Sequence, residues 1–357
     1  SDSPGLYILN PTARDAWRLL RSNQPLDQAA AEFAAHYGIP LPQAARDLES
    51  TWTQWQQTLL APAPLSTREA VPLPPPTDLT PATFARNYRL HGKNIRVILH
   101  HPDLISDIAP RLEPLLADNG SEPIATLQAT ATEDGFHVFS GSNWVATEDQ
   151  PSGARIVLLQ EFARSAQDNP DWPVILHAGA CGSTDQCVLF PAASQSGKTT
   201  LAAALMHAGL MFYTDDSAPL EAGKFAVPVM PFSLMIREGS WPVLLPRFPE
   251  LAKSPILSHW GQNVRFLSPR NRDYTGSAKV SAIVFSRFER GATTSLQPVD
   301  AFETLVALEA SGIWVRHCRN SIGKFLQWIE ALPSYRLTYS DLDDAVATVR
   351  RLLGVQR

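Results

Sequence analysis

Basic charge is in short supply. Lysine and arginine number 30 against 35 acidic residues, a formal net charge of −5. A protein held on nucleic acid by phosphate contacts needs a cationic excess to displace counterions, so no nucleic-acid partner is expected. Cysteine is scarcer still, with Cys181, Cys187 and Cys318 the whole complement. Without a nearby Cys or His pair they form neither a disulfide framework nor a zinc pattern. They read as reduced thiols, which points to a cytoplasmic protein. No apolar run approaches the ~18 residues that span a bilayer, so no membrane partner is expected either. No repeat is visible at solenoid periods.

What is present suits a folded, multidomain chain. The 357 residues are 44% hydrophobic and 18% charged, ordinary for a globular protein and enough for two or three domains. Proline concentrates in "APAPLSTREAVPLPPPTDLTP", residues 61–81. Such a run favours an extended polyproline form, and residues 61–82 read as a semi-rigid linker.

Residues 1–60 read as a short strand (Leu6 to Leu9) followed by three helices. Asn10-Pro11 is a helix start, with a capping side chain and then proline at the first helical position. The first helix is "PTARDAWRLL"; a second spans Leu26 to Tyr37 and stops at Gly38; a third runs from about Pro42 to Leu60. A strand and three helices outline a winged-helix unit, often a DNA reader. Here four arginines and no lysine face six acids, which argues against DNA. The stretches "LYILNPTARDAWRLL", "PLDQAAAEF" and "ARDLESTWTQWQQTLL" instead resemble the PqqD-like family of peptide-recognition domains. The resemblance implies a precursor peptide as partner, its leader paired to a sheet edge beside the third helix. The family's usual hairpin precedes its last strand, and this chain begins at about that strand.

Residues 83–165 read as a mixed α+β lobe without a sharp chemical motif. "NIRVILH", "GFHVFSGSNWVATED" and "ARIVLLQEFA" are expected as strands, or as a strand entering a helix. Residues 166–357 carry the chemistry. "PVILHAGA" and "CVLF" read as strands, "PAASQSG" as a loop, and "KTTLAAALMHA" as a helix with Gly209 at its C′ position. "LMFYT" forms a further strand, ending in Asp215-Asp216.

That order is what a phosphate loop requires. Backbone N–H groups of the loop and helix start converge on phosphate oxygens, Lys198 adds a compact charge, and Thr199 offers a hydroxyl for Mg²⁺. The Asp pair stands at the carboxyl end of a strand, where open α/β sheets bind ligands. One position departs: Ala192 stands where a glycine is usual. A left-handed conformation there would cost alanine about 1–2 kcal/mol, so a different turn after Pro191 is expected.

With His177 upstream of Lys198 and Asp216 downstream at matching spacing, and with the ending "ALPSYRLTYSDLDDAVATVRRLL", residues 85–357 resemble the HPr kinase/phosphorylase family, in its HPr-kinase-related branch. The resemblance implies an α/β fold with a P-loop, PEP-carboxykinase-like core. It implies ATP and Mg²⁺ as cofactors, with ATP held by Ala193, Ser194, Gln195, Ser196, Gly197, Lys198, Thr199 and Thr200. Thr199, Asp215 and Asp216 would hold the metal, Asp216 would be the general base, and His177 would shape the pair, with Asp215 raising its proton affinity or helping to hold Mg²⁺. A catalytic arginine is expected late in the chain; Arg237, Arg270, Arg272 and Arg287 are the candidates, and Arg287 in "VFSRFERG" matches best. A homo-oligomer is implied by analogy. Two positions differ from the family. Met235 in "SLMIREGSW" replaces a metal-binding glutamate, with Glu238 nearby, and Thr200 replaces an acid, which weakens the case for the reverse, dephosphorylating activity.

The function expected is an ATP/Mg²⁺-dependent kinase for a Ser or Thr hydroxyl of a ribosomally made precursor peptide. A fused leader-binding unit raises the effective concentration of such a substrate. Two alternatives stand beside it: a nucleotide-binding switch without phosphoryl transfer, and a kinase for a small molecule or sugar.

Overall fold

The computed structural model describes residues 9–22, 24–58, 83–117, 122–167, 171–191, 196–259, 261–271, 275–316 and 319–355. The chain divides into two compact units, residues 1–71 and 72–357. The first contains α1 (Pro11–Leu20), α2 (Leu26–Tyr37) and α3 (Leu41–Thr58). Asn10 Oδ1 accepts from the Ala13 N–H at 2.8 Å, and α2 ends on left-handed Gly38, so both expected punctuation marks act as read. Leu19, Ala30, Phe33, Leu48 and Trp55 make the core, with Trp17 meeting Trp55 edge-on at 5.5 Å. Of the expected opening strand only Leu9 is among the described residues, and the 61–82 linker lies outside them.

The second unit begins with β1 (Phe84–Leu90), β2 (Lys93–Leu99), α4 (Pro102–Leu112), β3 (Ala125–Thr132), β4 (Gly135–Ser140), β5 (Asn143–Glu148) and α5 (Pro151–Ser165). Its sheet runs β1-β2-β3-β4-β5, antiparallel except where β2 meets β3. A parallel neighbour needs a crossover, and α4 supplies it. The stretch "ARIVLLQEFA" is helical throughout, which corrects the strand reading. Pro151 opens α5, and Ala154, Leu158 and Phe162 recur at four-residue spacing and are fully buried.

There follow β6 (Val174–Leu176), β7 (Ala178–Gly182), β8 (Gln186–Pro191), α6 (Lys198–His207), β9 (Met211–Thr214), β10 (Ala218–Leu220), β11 (Ala226–Pro228), β12 (Leu234–Arg237) and α7 (Trp241–Leu244). The chain closes with β13 (Leu257–His259), β14 (Gln262–Leu267), β15 (Ser277–Phe288), β16 (Ser295–Val299), α8 (Ala301–Ser311), β17 (Ile313–Val315), α9 (Arg319–Ala331), β18 (Ser334–Tyr339) and α10 (Leu342–Leu352). The central sheet has the order β16-β18-β15-β8-β7-β9, with β11 added on β15. Its β18, β15 and β8 are parallel, whereas β7 lies antiparallel between β8 and β9.

Both faces of this sheet are covered. Val188 and Phe190 pack with α6 and α10, while Cys187 and Leu189 pack with α8 and α9. Burial on two sides explains why "CVLF" is a continuous apolar run rather than an alternation. "PVILHAGA" is two strands, because the chain breaks at His177, whose N–H bonds the Gly312 carbonyl at 2.9 Å.

Phe162 joins the five-stranded lobe to the rest. Its ring stands 6.1 Å from Tyr88 and 6.0 Å from Phe232, edge-on to both. Phe162→Ala should destabilise the second unit by about 3–5 kcal/mol. Urea unfolding should show a lowered midpoint at unchanged slope; a shift below about 1 kcal/mol would contradict this packing role.

Candidate functional site

Strand β8 ends at Pro191, and α6 begins at Lys198 with Gly197 as its cap in a left-handed conformation at φ 90°. Only glycine takes that conformation without penalty. One small residue of β7, Gly179, then matters. A Cβ on Gly179 would lie 3.4 Å from Lys198 Cγ and 3.6 Å from Asp215 Cα, so the bare backbone lets lysine and aspartate approach across the strand. Lys198 is buried and reaches back to place Nζ 2.9 Å from His177 Nε2.

The Asp pair sits on the turn after β9, which Thr214 closes by donating its hydroxyl to the Ser217 carbonyl at 2.9 Å. Both aspartates line the cleft, with Asp215 the more deeply buried of the two. His177 Nδ1 stands 3.4 Å from one Asp216 oxygen. The other oxygen is taken by Arg155 of α5, through a short charge-assisted contact with Nη1. Arg155 Nε lies 3.1 Å from Asp107, and Asp107 lies 3.4 Å from Arg111 Nε, so α4 and α5 place an Arg–Asp–Arg array against the site. All three are buried.

These surroundings divide the two carboxyls. Burial pushes Asp215 up to about 6, with Arg111 pulling the other way. Burial would also raise Asp216, but Arg155, Arg111 and His177 hold it well below the usual carboxylate range. The division runs opposite to the expectation that Asp215 would raise its neighbour: Arg155 contacts Asp216, and Asp215 takes the penalty of burial. Burial lowers Lys198, although both aspartates oppose it. Burial and the Lys198 charge lower His177, which suits a neutral ring accepting at Nε2.

A cleft of about 690 Å³ collects these groups. Ser196, Gly197, Lys198, Thr199, Thr200, His177, Asp215 and Asp216 all line it, with Arg111 and Arg155 from the five-stranded lobe. Its far wall is the segment 235–240, tied to α6 by a 2.6 Å bond between Thr200 and Ser240 hydroxyls. Glu238, which accepts from Asn263 at 3.0 Å, and Met235 lie on that wall. Ala193, Ser194 and Gln195 lie outside the described residues, as do Ala192 and Arg272.

The arginine expectation is corrected by the fold. Arg287 does not line the cleft; its side chain is 72% exposed and lies 3.6 Å from Glu289. Strand alternation turns it to the α8–α9 face of the sheet, away from α6. Arg270 pairs with Glu250 at 3.8 Å, also away from the cleft, whereas Arg237 does line it. Arg155 and Arg111 escaped sequence reading because they belong to helices with no motif of their own.

The donor set suits a hard cation. Thr199, Asp215 and Asp216 offer only oxygen, and Mg²⁺ is typically held by one or two carboxylates with water and phosphate oxygens completing the shell. Among the described residues no group of three or more His, Cys, Asp or Glu side chains is arranged to hold a metal by itself. No helix among them is long and apolar enough to cross a membrane.

Residues 1–60 match the family model described as coenzyme PQQ synthesis protein D (PqqD). The N-terminal unit is thereby supported as a peptide-recognition domain of the kind that binds precursor peptides. No curated protein matches the chain.

The raised Asp215 makes a stability prediction. A carboxyl whose folded pKa is raised destabilises the fold once ionised; the penalty is absent below about pH 4 and complete above about pH 6. Asp215→Asn should therefore gain on the wild type as pH rises from 4 to 7, by up to about 3 kcal/mol. Thermal melts across that range test it, and a difference independent of pH would contradict it.

Proposed function

We propose that the chain is an ATP- and Mg²⁺-dependent kinase with an HPr-kinase-like P-loop core, transferring phosphate to a Ser or Thr hydroxyl of a precursor peptide recognised through residues 1–60. The observation that carries the reading is the convergence of Lys198, Thr199, His177 and the Asp pair in one cleft at the start of α6. The PqqD match supports the peptide as the substrate class.

In this reading the terminal phosphates of ATP lie on the N-terminus of α6, where backbone N–H groups and the helix dipole favour anions. Lys198 bonds their oxygens in place of His177. Mg²⁺ held by Thr199 and the Asp pair would neutralise phosphate charge. The peptide hydroxyl oxygen bonds the γ-phosphorus, the bond from that phosphorus to the β–γ bridging oxygen breaks, and ADP departs. Asp216, ionised at neutral pH, accepts the hydroxyl proton. Such transfers depend on positioning and charge compensation more than on a strong base, so a low proton affinity is compatible with the role.

The switch reading draws on a different observation. Arg155 occupies the Asp216 oxygen that transfer needs, so nucleotide binding could serve to break that pair and alter docking without turnover. One experiment separates them. Full-length protein, ATP, Mg²⁺ and a precursor peptide encoded beside it should give a phosphorylated peptide by mass spectrometry. Asp216→Asn should slow this by about 10²–10⁴-fold. Nucleotide binding with no phosphopeptide from the wild type would favour the switch; undiminished transfer in Asp216→Asn would overturn the assignment of the base.

A further inference from the structure

The sheet order gives the site a direction. Strand β8 delivers Lys198, and β9, beyond β7 on one side, delivers Asp215 and Asp216; β15 and then β18 lie on the other side. If the reacting end of a nucleotide faces Asp216 from the start of α6, its nucleoside end extends toward β15 and β18.

The residue waiting there is Phe288, the last of β15. Its side shares the sheet face of Ala282 and Val284, which pack under α6. Phe288 is 55% exposed and absent from the cleft lining. Isolated exposed apolar residues are ordinary on protein surfaces, so exposure alone assigns nothing. Three further observations do. The ring is braced edge-on by the buried Tyr339, with centroids 5.9 Å apart at 74°. The strand ends are tied by the Glu289 N–H bonded to the Tyr339 carbonyl at 2.8 Å. A side chain on Gly197 would point at this pair, its Cβ 3.3 Å from Tyr339 Oη and 3.9 Å from Phe288 Cβ. Burial pushes the Tyr339 hydroxyl up to about 12, so the bracing ring stays uncharged.

We propose that Phe288 is a stacking platform for the base of the bound nucleotide, and that the phosphate donor is therefore a nucleoside triphosphate rather than pyrophosphate or a longer inorganic polyphosphate. The inference rests on the reading of α6 as the phosphate seat and adds to it the residue that holds the base. A rigid aromatic ring beside a phosphate site favours a base through its π-face and tolerates different bases. Loss of one such contact weakens binding by about 5- to 150-fold.

Calorimetric titration of full-length protein with Mg²⁺·ATP and with Mg²⁺·tripolyphosphate tests it. Wild type should bind ATP more tightly than tripolyphosphate. Phe288→Ala should lose about 5- to 150-fold on ATP with tripolyphosphate unchanged, and Phe288→Trp should retain ATP affinity. Equal wild-type affinity for both ligands, or equal loss of both in Phe288→Ala, would overturn the platform while leaving the phosphate seat intact. Failure of the wild type to bind either ligand would overturn both.

Discussion

Arg155 and Asp216 meet between two parts of the second unit, and the organisation of the cleft depends on that contact. Arg155 rises from α5, against the five-stranded sheet; Asp216 hangs from the turn after β9 in the central sheet. A buried charge without a partner is costly, and removing one member of such a pair strands the other. Asp107 adds a second anion behind Arg155 and is shared with Arg111. The five-stranded lobe is therefore part of the site, supplying the cations that keep Asp216 ionised and fix its direction.

The same contact distributes the remaining protons. With Asp216 compensated by arginine, Asp215 bears the cost of burial, and Lys198 and His177 share a hydrogen bond in which the ring accepts. Lysine is then held beside α6 by a neutral partner that an incoming anion can replace without disrupting an ion pair. Gly179 of β7 lies between Lys198 and the Asp turn, and a side chain there would pack against both Lys198 and Asp215. The PqqD-like residues lie in a separate unit with its own tryptophan-rich core. Under the proposed function, tethering such a unit to the cleft would raise the local concentration of the peptide.

Local chemistry was legible in the sequence, and tertiary placement much less so. Asn10-Pro11, Gly38 and Gly209 marked real helix boundaries because caps act within a few residues. Lys198, Thr199 and the Asp pair were legible because they stand at the ends of neighbouring elements, and His177 joined them through the spacing of the family resemblance. The α5 segment was ambiguous because its dense apolar run fits a strand as well as a buried helix. Arg155 was invisible because its partner lies on a distant turn and neither element announces the other. Among the four candidate arginines Arg287 matched best, yet strand alternation sends its side chain to the face opposite α6; sequence spacing could not say which face α6 would cover. Nor could it show that β7 inserts between the strands carrying Lys198 and Asp216.

The central claim is that the start of α6 seats the reacting phosphates against Asp216. A crystal structure of the full chain with Mg²⁺ and a non-hydrolysable ATP analogue measures it directly. The expected result places the terminal phosphate within hydrogen-bond reach of Lys198 Nζ and the Thr199 hydroxyl, facing Asp216. A nucleotide bound elsewhere, with Lys198 still on His177, would contradict the account.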